Sequence, residues 1–152
     1  MEFAATASWP KPGADDSYQS HLLRRAPIVL AYLWISIGAI IGASARYVVS
    51  RQVARLLGAS FPYGTLLINI TGSFILGLFM VWSTERVLAD PRWRLLVAIG
   101  FCGSYTTFSS YAFESFALFE QGQYALFAGN VLANNVLCLA GVLAGAMIAR
   151  SL

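Results

Sequence analysis

Residues 100–111, with the sequence GFCGSYTTFSSY, decide how this chain folds. They lie near the middle of a long apolar segment and contain two glycines and five Ser or Thr residues. Glycine costs about 1 kcal/mol in a helix interior, and Ser and Thr hydroxyls compete for backbone hydrogen bonds. The stretch therefore predicts a helix that breaks here. A Ser/Thr-rich seam between two intact helices is the alternative interpretation.

The composition of the whole chain indicates what surrounds this stretch. Of the 152 residues, 58% are hydrophobic and 11% are charged. Soluble domains contain about 25% charged residues, so the chain is interpreted as an integral membrane protein. Segments such as ILGLFMVW (75–82) do not alternate apolar and polar residues, which favours transmembrane helices over transmembrane strands.

Four apolar segments are long enough to cross a bilayer, which takes about 20 residues of helix. The sequence predicts an all-α integral membrane protein in which residues 26–152 form a four-helix transmembrane domain with the third helix broken at midspan. The predicted spans are about 27–50, 63–83, 93–119 and 122–150. Backbone groups released by a break at that depth are tolerated only where they line a cavity or bind an ion.

The flanks of the spans carry most of the charge. Residues 1–25 are polar and rich in turn-forming residues, which predicts a mobile N-terminal tail. His21, the only histidine, is interpreted as a solvated residue of that tail, because no cluster of metal ligands accompanies it. Arginines are more numerous on the side of the termini, which favours cytoplasmic termini. That side carries Arg24, Arg25, Arg86, Arg92, Arg94 and Arg150, and the other carries Arg51, Arg55 and, near the interface, Arg46.

Spans 2 and 3 contain polar or aromatic residues in positions where a purely lipid-facing helix would not need them. Asn69 lies near the middle of span 2, and Thr65 precedes it by one turn on the same helix face. They are either a helix–helix hydrogen-bonding pair or ligands of a polar pathway. In the third span Phe108, Tyr111 and Glu114 recur every three residues. Such a stripe is typical of packing, but its electropositive ring edges could also contact an anion.

Span 4 carries a face of small and polar side chains at intervals of three or four. These residues are Asn130, Asn134, Cys138, Gly141 and Gly145. The two glycines form a GxxxG pair, as two glycines of span 1 also do, and such pairs permit close helix approach. Because four short helices cannot readily enclose a pathway, we expect the chain to self-associate.

Three motifs in combination resemble the Fluc (CrcB) family of fluoride channels, over about residues 35–150. Residues 42–47 (GASARY) are similar to the family's G-A-x-x-R-Y at the end of helix 1. Residues 64–72 (GTLLINITG) resemble G-T-L-x-x-N-x-x-G in helix 2. Residues 100–109 (GFCGSYTTFS) resemble G-F-x-G-x-x-T-T-F-S at the break of helix 3.

The resemblance implies an antiparallel, dual-topology homodimer with two narrow pores, each lined by both protomers. It also implies a structural Na⁺ held by the backbone carbonyls of Gly103 and Thr106. The residues that match the family's anion pathway are Asn69, Phe108, Tyr111, Thr65, Ser109, Ser110, Glu114 and Arg46. The family usually has phenylalanine at the position of Tyr111. Helix 4 usually supplies a tyrosine near Asn130, so Asn130 and Asn134 are additional candidates there.

The function that the resemblance implies is a passive, fluoride-selective channel. Such a channel exports cytoplasmic fluoride and gives fluoride resistance, with fluoride, membrane lipid and a second copy of the chain as its partners. The implied location is the cell (inner) plasma membrane. Fluoride is strongly hydrated, so its pathway needs amide, hydroxyl and ring-edge donors without a cation that would trap the ion.

Other classes of protein fit the sequence less well. A proton-coupled exporter of the small multidrug type normally has an acidic residue deep in helix 1, and span 1 has none. A structural or assembly subunit would use the polar stripes for helix docking only. No nucleophile–base pair or phosphate-binding loop indicates an enzyme. The net charge of +3 comes from arginine flanks and calls for no nucleic acid partner.

Overall fold

A computed structural model describes residues 28–85 and 90–152, and all regular elements in these residues are helices. In chain order the helices are α1 (Ile28–Leu57), α2 (Tyr63–Glu85), α3 (Pro91–Trp93, Arg94–Cys102 and Gly103–Tyr105), α4 (Phe108–Glu120) and α5 (Tyr124–Ser151). Helices α1, α2 and α5 are long and apolar enough to cross a membrane. The prediction of an all-helical membrane protein is confirmed for these residues. The predicted N-terminal tail with His21, Arg24 and Arg25, and also Arg86, lie outside the described residues.

Helix α1 is longer at its C-terminal end than the predicted span 27–50. It continues through Arg51 and Arg55 to Leu57, and Gly58 follows with φ of +80°. A charged residue ends the apolar segment but not the helix, because arginine is a good helix former. The helix ends instead where glycine adopts a left-handed conformation at little cost.

The predicted break of the third helix is confirmed at Thr106 and Thr107, which separate α3 from α4. Helix α3 starts with Pro91, after Asp90 has capped it by accepting a hydrogen bond from the Arg92 amide at 2.9 Å. Most of α3, over Arg94–Cys102, is a π-helix rather than the expected α-helix. Such wide turns are rare and often mark functional sites.

The helices pack as two close pairs, α1 against α3 and α2 against α5. A Cβ atom on Gly38 or Gly42 would overlap backbone carbonyl oxygens of α3. A Cβ atom on Gly145 would likewise overlap the carbonyl of Phe74 in α2. The expected role of the GxxxG pairs in close approach is therefore confirmed within the chain. Helix α4 lies mainly against α5 and leaves much of its aromatic surface exposed.

Candidate functional site

At the break between α3 and α4, backbone amides donate to side-chain oxygens instead of to helical carbonyls. Both of its residues are extended, with ψ of 158° at Thr106 and 109° at Thr107. The Thr107 hydroxyl caps α4 by accepting a hydrogen bond from the Ser110 amide at 3.2 Å. A threonine side chain is well suited to this N-cap position, because its oxygen satisfies an amide that has no partner inside the helix.

Asn69 of α2 binds the break from the opposite helix. The Thr107 amide donates to Asn69 Oδ1 at 2.9 Å, and Asn69 Nδ2 donates to the Thr107 carbonyl at 3.3 Å. In a continuous helix the Thr107 amide would donate to the carbonyl of Gly103, and the Ser110 amide to that of Thr106. Both amides donate to side chains instead. The two carbonyls affected are those of the sequence-predicted Na⁺ site.

A chain of hydrogen bonds continues from Asn69 through α5 and returns to α4. Asn69 Nδ2 donates to Asn134 Oδ1 at 3.0 Å, and Asn134 Nδ2 donates to Asn130 Oδ1 at 2.9 Å. Asn130 Nδ2 donates to Ser115 Oγ at 2.9 Å, and this hydroxyl donates to the Tyr111 carbonyl at 2.7 Å. We call these four side chains the asparagine chain. It fixes α4 at its N-cap and again two turns later.

A cavity of about 370 Å³ opens beside the break, and we call it the break cavity. Its polar and aromatic lining includes Asn69, Phe108, Tyr111, Asn134 and Asn135. The rings of Phe108 and Tyr111 meet edge to face, with centroids 5.4 Å apart and an interplanar angle of 67°. Phe108 is 77% exposed in the single chain. The break cavity thus presents a phenol and aromatic ring edges beside a wall of hydrogen-bonded carboxamides, and electropositive ring edges are weak binding groups for an anion.

A second cavity of about 600 Å³, the carboxylate cavity, lies beside Thr65 and Glu114. Thr65 Oγ1 donates to Glu114 Oε1 at 2.8 Å. Glu114 Oε2 is buried and has no hydrogen-bond partner among residues 28–85 and 90–152. Thr65 and Asn69 lie one turn apart on α2, and Tyr111 and Glu114 one turn apart on α4. The two cavities therefore follow each other along the same pair of helices.

The structure brings most of the predicted site residues to these two cavities. Asn69, Phe108, Tyr111, Thr106 and Asn134 line the break cavity, and Thr65 and Glu114 line the carboxylate cavity. The others lie outside both linings. Ser109 and Ser110 interact with the Thr107 hydroxyl. Gly103 is exposed near the end of α3, and Arg46 is half-buried on α1. Asn130 is fully buried.

Two residues of the site were not among the predicted ones. Ser115 links the asparagine chain to α4, and Asn135 donates from Nδ2 to the Tyr111 hydroxyl at 3.3 Å. The sequence carried a signal for Ser115, which is a hydroxyl residue one turn after Tyr111 in an otherwise aromatic stretch. Asn135 stands next to the polar face of span 4, and only the packing of α5 against α4 shows that it reaches Tyr111.

Comparisons with known proteins agree with one another. The family described as "CrcB-like protein, Camphor Resistance (CrcB)" matches residues 33–146. A protein of Koribacter versatilis is 67% identical over 121 residues, which are 80% of this chain and 96% of the relative. One from Sulfurihydrogenibium is 44% identical over 121 residues, covering 80% and 98% of the two chains. One from Legionella pneumophila is 42% identical over 123 residues, covering 81% and 92%. All three relatives are named fluoride-specific ion channel FluC.

Proposed function

Given that this chain belongs to the CrcB family, we propose that the break cavity and the carboxylate cavity are consecutive parts of its fluoride pathway. The protein is a fluoride channel and acts by passive conduction, not as an enzyme. The single observation that carries the proposed pathway is the convergence of Asn69, Phe108 and Tyr111 on one cavity. Conduction down a gradient exports fluoride from the cytoplasm and gives fluoride resistance.

The chemistry of the linings suits a small, strongly hydrated anion. Fluoride must exchange its water for several donors, each weak enough to release it again. The Tyr111 hydroxyl and the Phe108 ring edge supply such groups in the break cavity. The Asn69 and Asn134 carboxamides line it beside them, and they donate to fluoride only when their N–H groups exchange their partners in the asparagine chain. Among residues 28–85 and 90–152, no lysine or arginine lines either cavity, so these residues place no fixed cation against the fluoride. Ser109, Ser110 and Arg46 belong to the approaches of this pathway.

Helices α3 and α4 together form the fourth crossing, with the break inside the membrane. The exposed Phe108 ring is then covered by a second copy in an antiparallel, dual-topology homodimer. Support comes from the four most exposed phenylalanines on the described helices, which all lie on α4 and leave a broad apolar face uncovered. The remaining apolar surface contacts the lipid of the inner plasma membrane. Each of the two pores is completed by the partner subunit.

The carbonyls of Gly103 and Thr106 fit a structural Na⁺. Their usual helical donors, the amides of Thr107 and Ser110, donate to Asn69 Oδ1 and Thr107 Oγ1 instead. Carbonyl oxygens freed near the end of a helix favour a small cation, since the helix dipole is negative there. A bound Na⁺ would neutralise these oxygens and hold the break in its extended form. Replacing Na⁺ by N-methyl-D-glucamine during purification is expected to abolish flux, with recovery on returning Na⁺.

Fluoride efflux from liposomes containing the purified protein tests the proposed function. We expect rapid efflux measured with a fluoride electrode, almost no chloride efflux, and no dependence on a proton gradient. Efflux no faster than from protein-free liposomes would overturn the proposal. Efflux that requires an opposing proton gradient would indicate a proton-coupled exporter instead. Crosslinking of the reconstituted protein to a dimer, with both orientations present, tests the proposed assembly.

A further inference from the structure

The orientation of the Asn135 side chain is fixed by two hydrogen bonds from one nitrogen. Asn135 Nδ2 donates to the Val131 carbonyl at 2.7 Å and to the Tyr111 hydroxyl at 3.3 Å. A carbonyl can only accept, so the nitrogen and not the oxygen of the carboxamide must face Val131. Both amide hydrogens are then used, one for each acceptor. Asn135 therefore meets Tyr111 as a donor.

The Tyr111 hydroxyl is left with one direction in which to donate. A phenol has one proton and also accepts hydrogen bonds, and here it accepts from Asn135. Its own proton must point away from the Asn135 amide. Tyr111 and Asn135 both line the break cavity, which also exposes the Phe108 ring. The Tyr111 hydroxyl oxygen therefore already accepts a hydrogen bond from Asn135, and its proton is available to a further acceptor.

We propose that Asn135 is a positioning residue that turns the Tyr111 hydroxyl proton towards fluoride in the break cavity. The inference deepens the proposed function and rests on the break cavity being the pathway. A phenylalanine at position 111 would offer only its ring edge, whereas this tyrosine adds an O–H donor. Hydrogen bonds to an anion are about twice as strong as those between neutral groups. The pair therefore raises fluoride occupancy at this point of the pore.

Concentration-dependent currents in planar bilayers test this role. For Tyr111→Phe we expect the fluoride concentration at half-maximal current to rise about tenfold, the effect of losing one charge-assisted hydrogen bond. Asn135→Ala is expected to cause a similar rise, because the freed hydroxyl can rotate away. The double variant is expected to match Tyr111→Phe alone. Tyr124→Phe, which removes a hydroxyl outside both cavities, is expected to leave the half-maximal concentration unchanged.

The outcomes separate this inference from the proposed pathway. Additive effects of the two substitutions, or an unchanged half-maximal concentration in either single variant, overturn the positioning role. A fall in maximal current without a change in half-maximal concentration also overturns it, since that result would mean only a structural contact. Phe108→Ile serves as the reference for the pathway. If it conducts like the parent protein, the break cavity is not the pathway. If it blocks conduction while Tyr111→Phe has no effect, only the inference on Asn135 and Tyr111 fails.

Discussion

The Asn69 carboxamide binds both backbone polar groups of Thr107, accepting from its amide at 2.9 Å and donating to its carbonyl at 3.3 Å. One side chain on α2 thus replaces the helical acceptor that the Thr107 amide loses where the α3–α4 backbone becomes extended. Inside a membrane, unpaired backbone groups are costly, so the break depends on this partner. Asn69 has a structural role in the site in addition to its place in the cavity lining.

Asn69→Ala is expected to lower both flux and stability. It leaves the Thr107 amide and Asn134 Oδ1 without their partner, and each buried polar group left unpaired costs about 1–3 kcal/mol. Asn69→Asp keeps an acceptor for Thr107 but places a carboxylate oxygen against Asn134 Oδ1, so we expect it to be at least as harmful.

Thermal unfolding in detergent and fluoride efflux measure the effects of the Asn69 substitutions on stability and on flux. Ser83→Ala is the control, since the buried Ser83 hydroxyl donates only within α2, to Met80. Unchanged melting in Asn69→Ala would contradict the role of Asn69 at the break.

Phe108→Ile is expected to reduce fluoride efflux by at least tenfold while the protein remains dimeric. The substitution removes the ring edge that faces the break cavity and keeps an apolar side chain of moderate size. Phe113→Ile is a matched control, because Phe113 is 71% exposed on the same helix and does not line that cavity. An equal reduction of efflux in the two variants would show that exposure on α4, not the cavity, determines the effect, and unreduced efflux in both would contradict the pathway.

Gly72→Ala is expected to displace the break and to reduce flux. A Cβ atom at this position would overlap Thr106 Cγ2 and would lie 3.1 Å from Tyr105 Cδ1. The Thr106 side chain cannot turn freely, because its hydroxyl donates to the Cys102 carbonyl at 2.9 Å. Overpacking of this kind costs about 1–3 kcal/mol. Gly129→Ala is the control, because no described residue beyond the adjoining turns of α5 lies within 4 Å of its added Cβ, and alanine favours a helix. Thermal unfolding and efflux of both variants check the prediction.

Thiol modification distinguishes the two cysteines. Cys138 is half-buried and lines the break cavity, whereas Cys102 is 2% exposed in α3. Methyl methanethiosulfonate adds a small group to an accessible thiol and is expected to narrow the cavity and inhibit efflux. We expect Cys102→Ser to remain sensitive and Cys138→Ser to become insensitive. Inhibition that persists in Cys138→Ser would place the reactive thiol, and with it the pathway, elsewhere.

Features with a local physical cause could be predicted from the sequence. The break follows from the cost of glycine and hydroxyl residues in a helix, and Asn69 was a candidate because a buried amide in an apolar helix needs a partner. The π-helical turns of Arg94–Cys102 could not be predicted, since the apolar run RLLVAIGFC has no feature that marks a wider turn. The contacts of Ser115 and Asn135 depend on how α4 and α5 are rotated against each other. Hydrophobic periodicity does not determine that rotation when lipid surrounds the helices.

The asparagine chain has a fixed polarity, because it starts at a backbone donor, the Thr107 amide, and ends at a backbone acceptor, the Tyr111 carbonyl. Each carboxamide between them must present its oxygen to the preceding group and its nitrogen to the following one. No single amide can flip without placing two donors or two acceptors face to face. Spontaneous deamidation of any one asparagine would replace a donor by an acceptor and break the sequence of bonds. Chemical ageing at one residue of the asparagine chain would therefore weaken the attachment of α4 to α2 and α5, even where that residue never meets the ion.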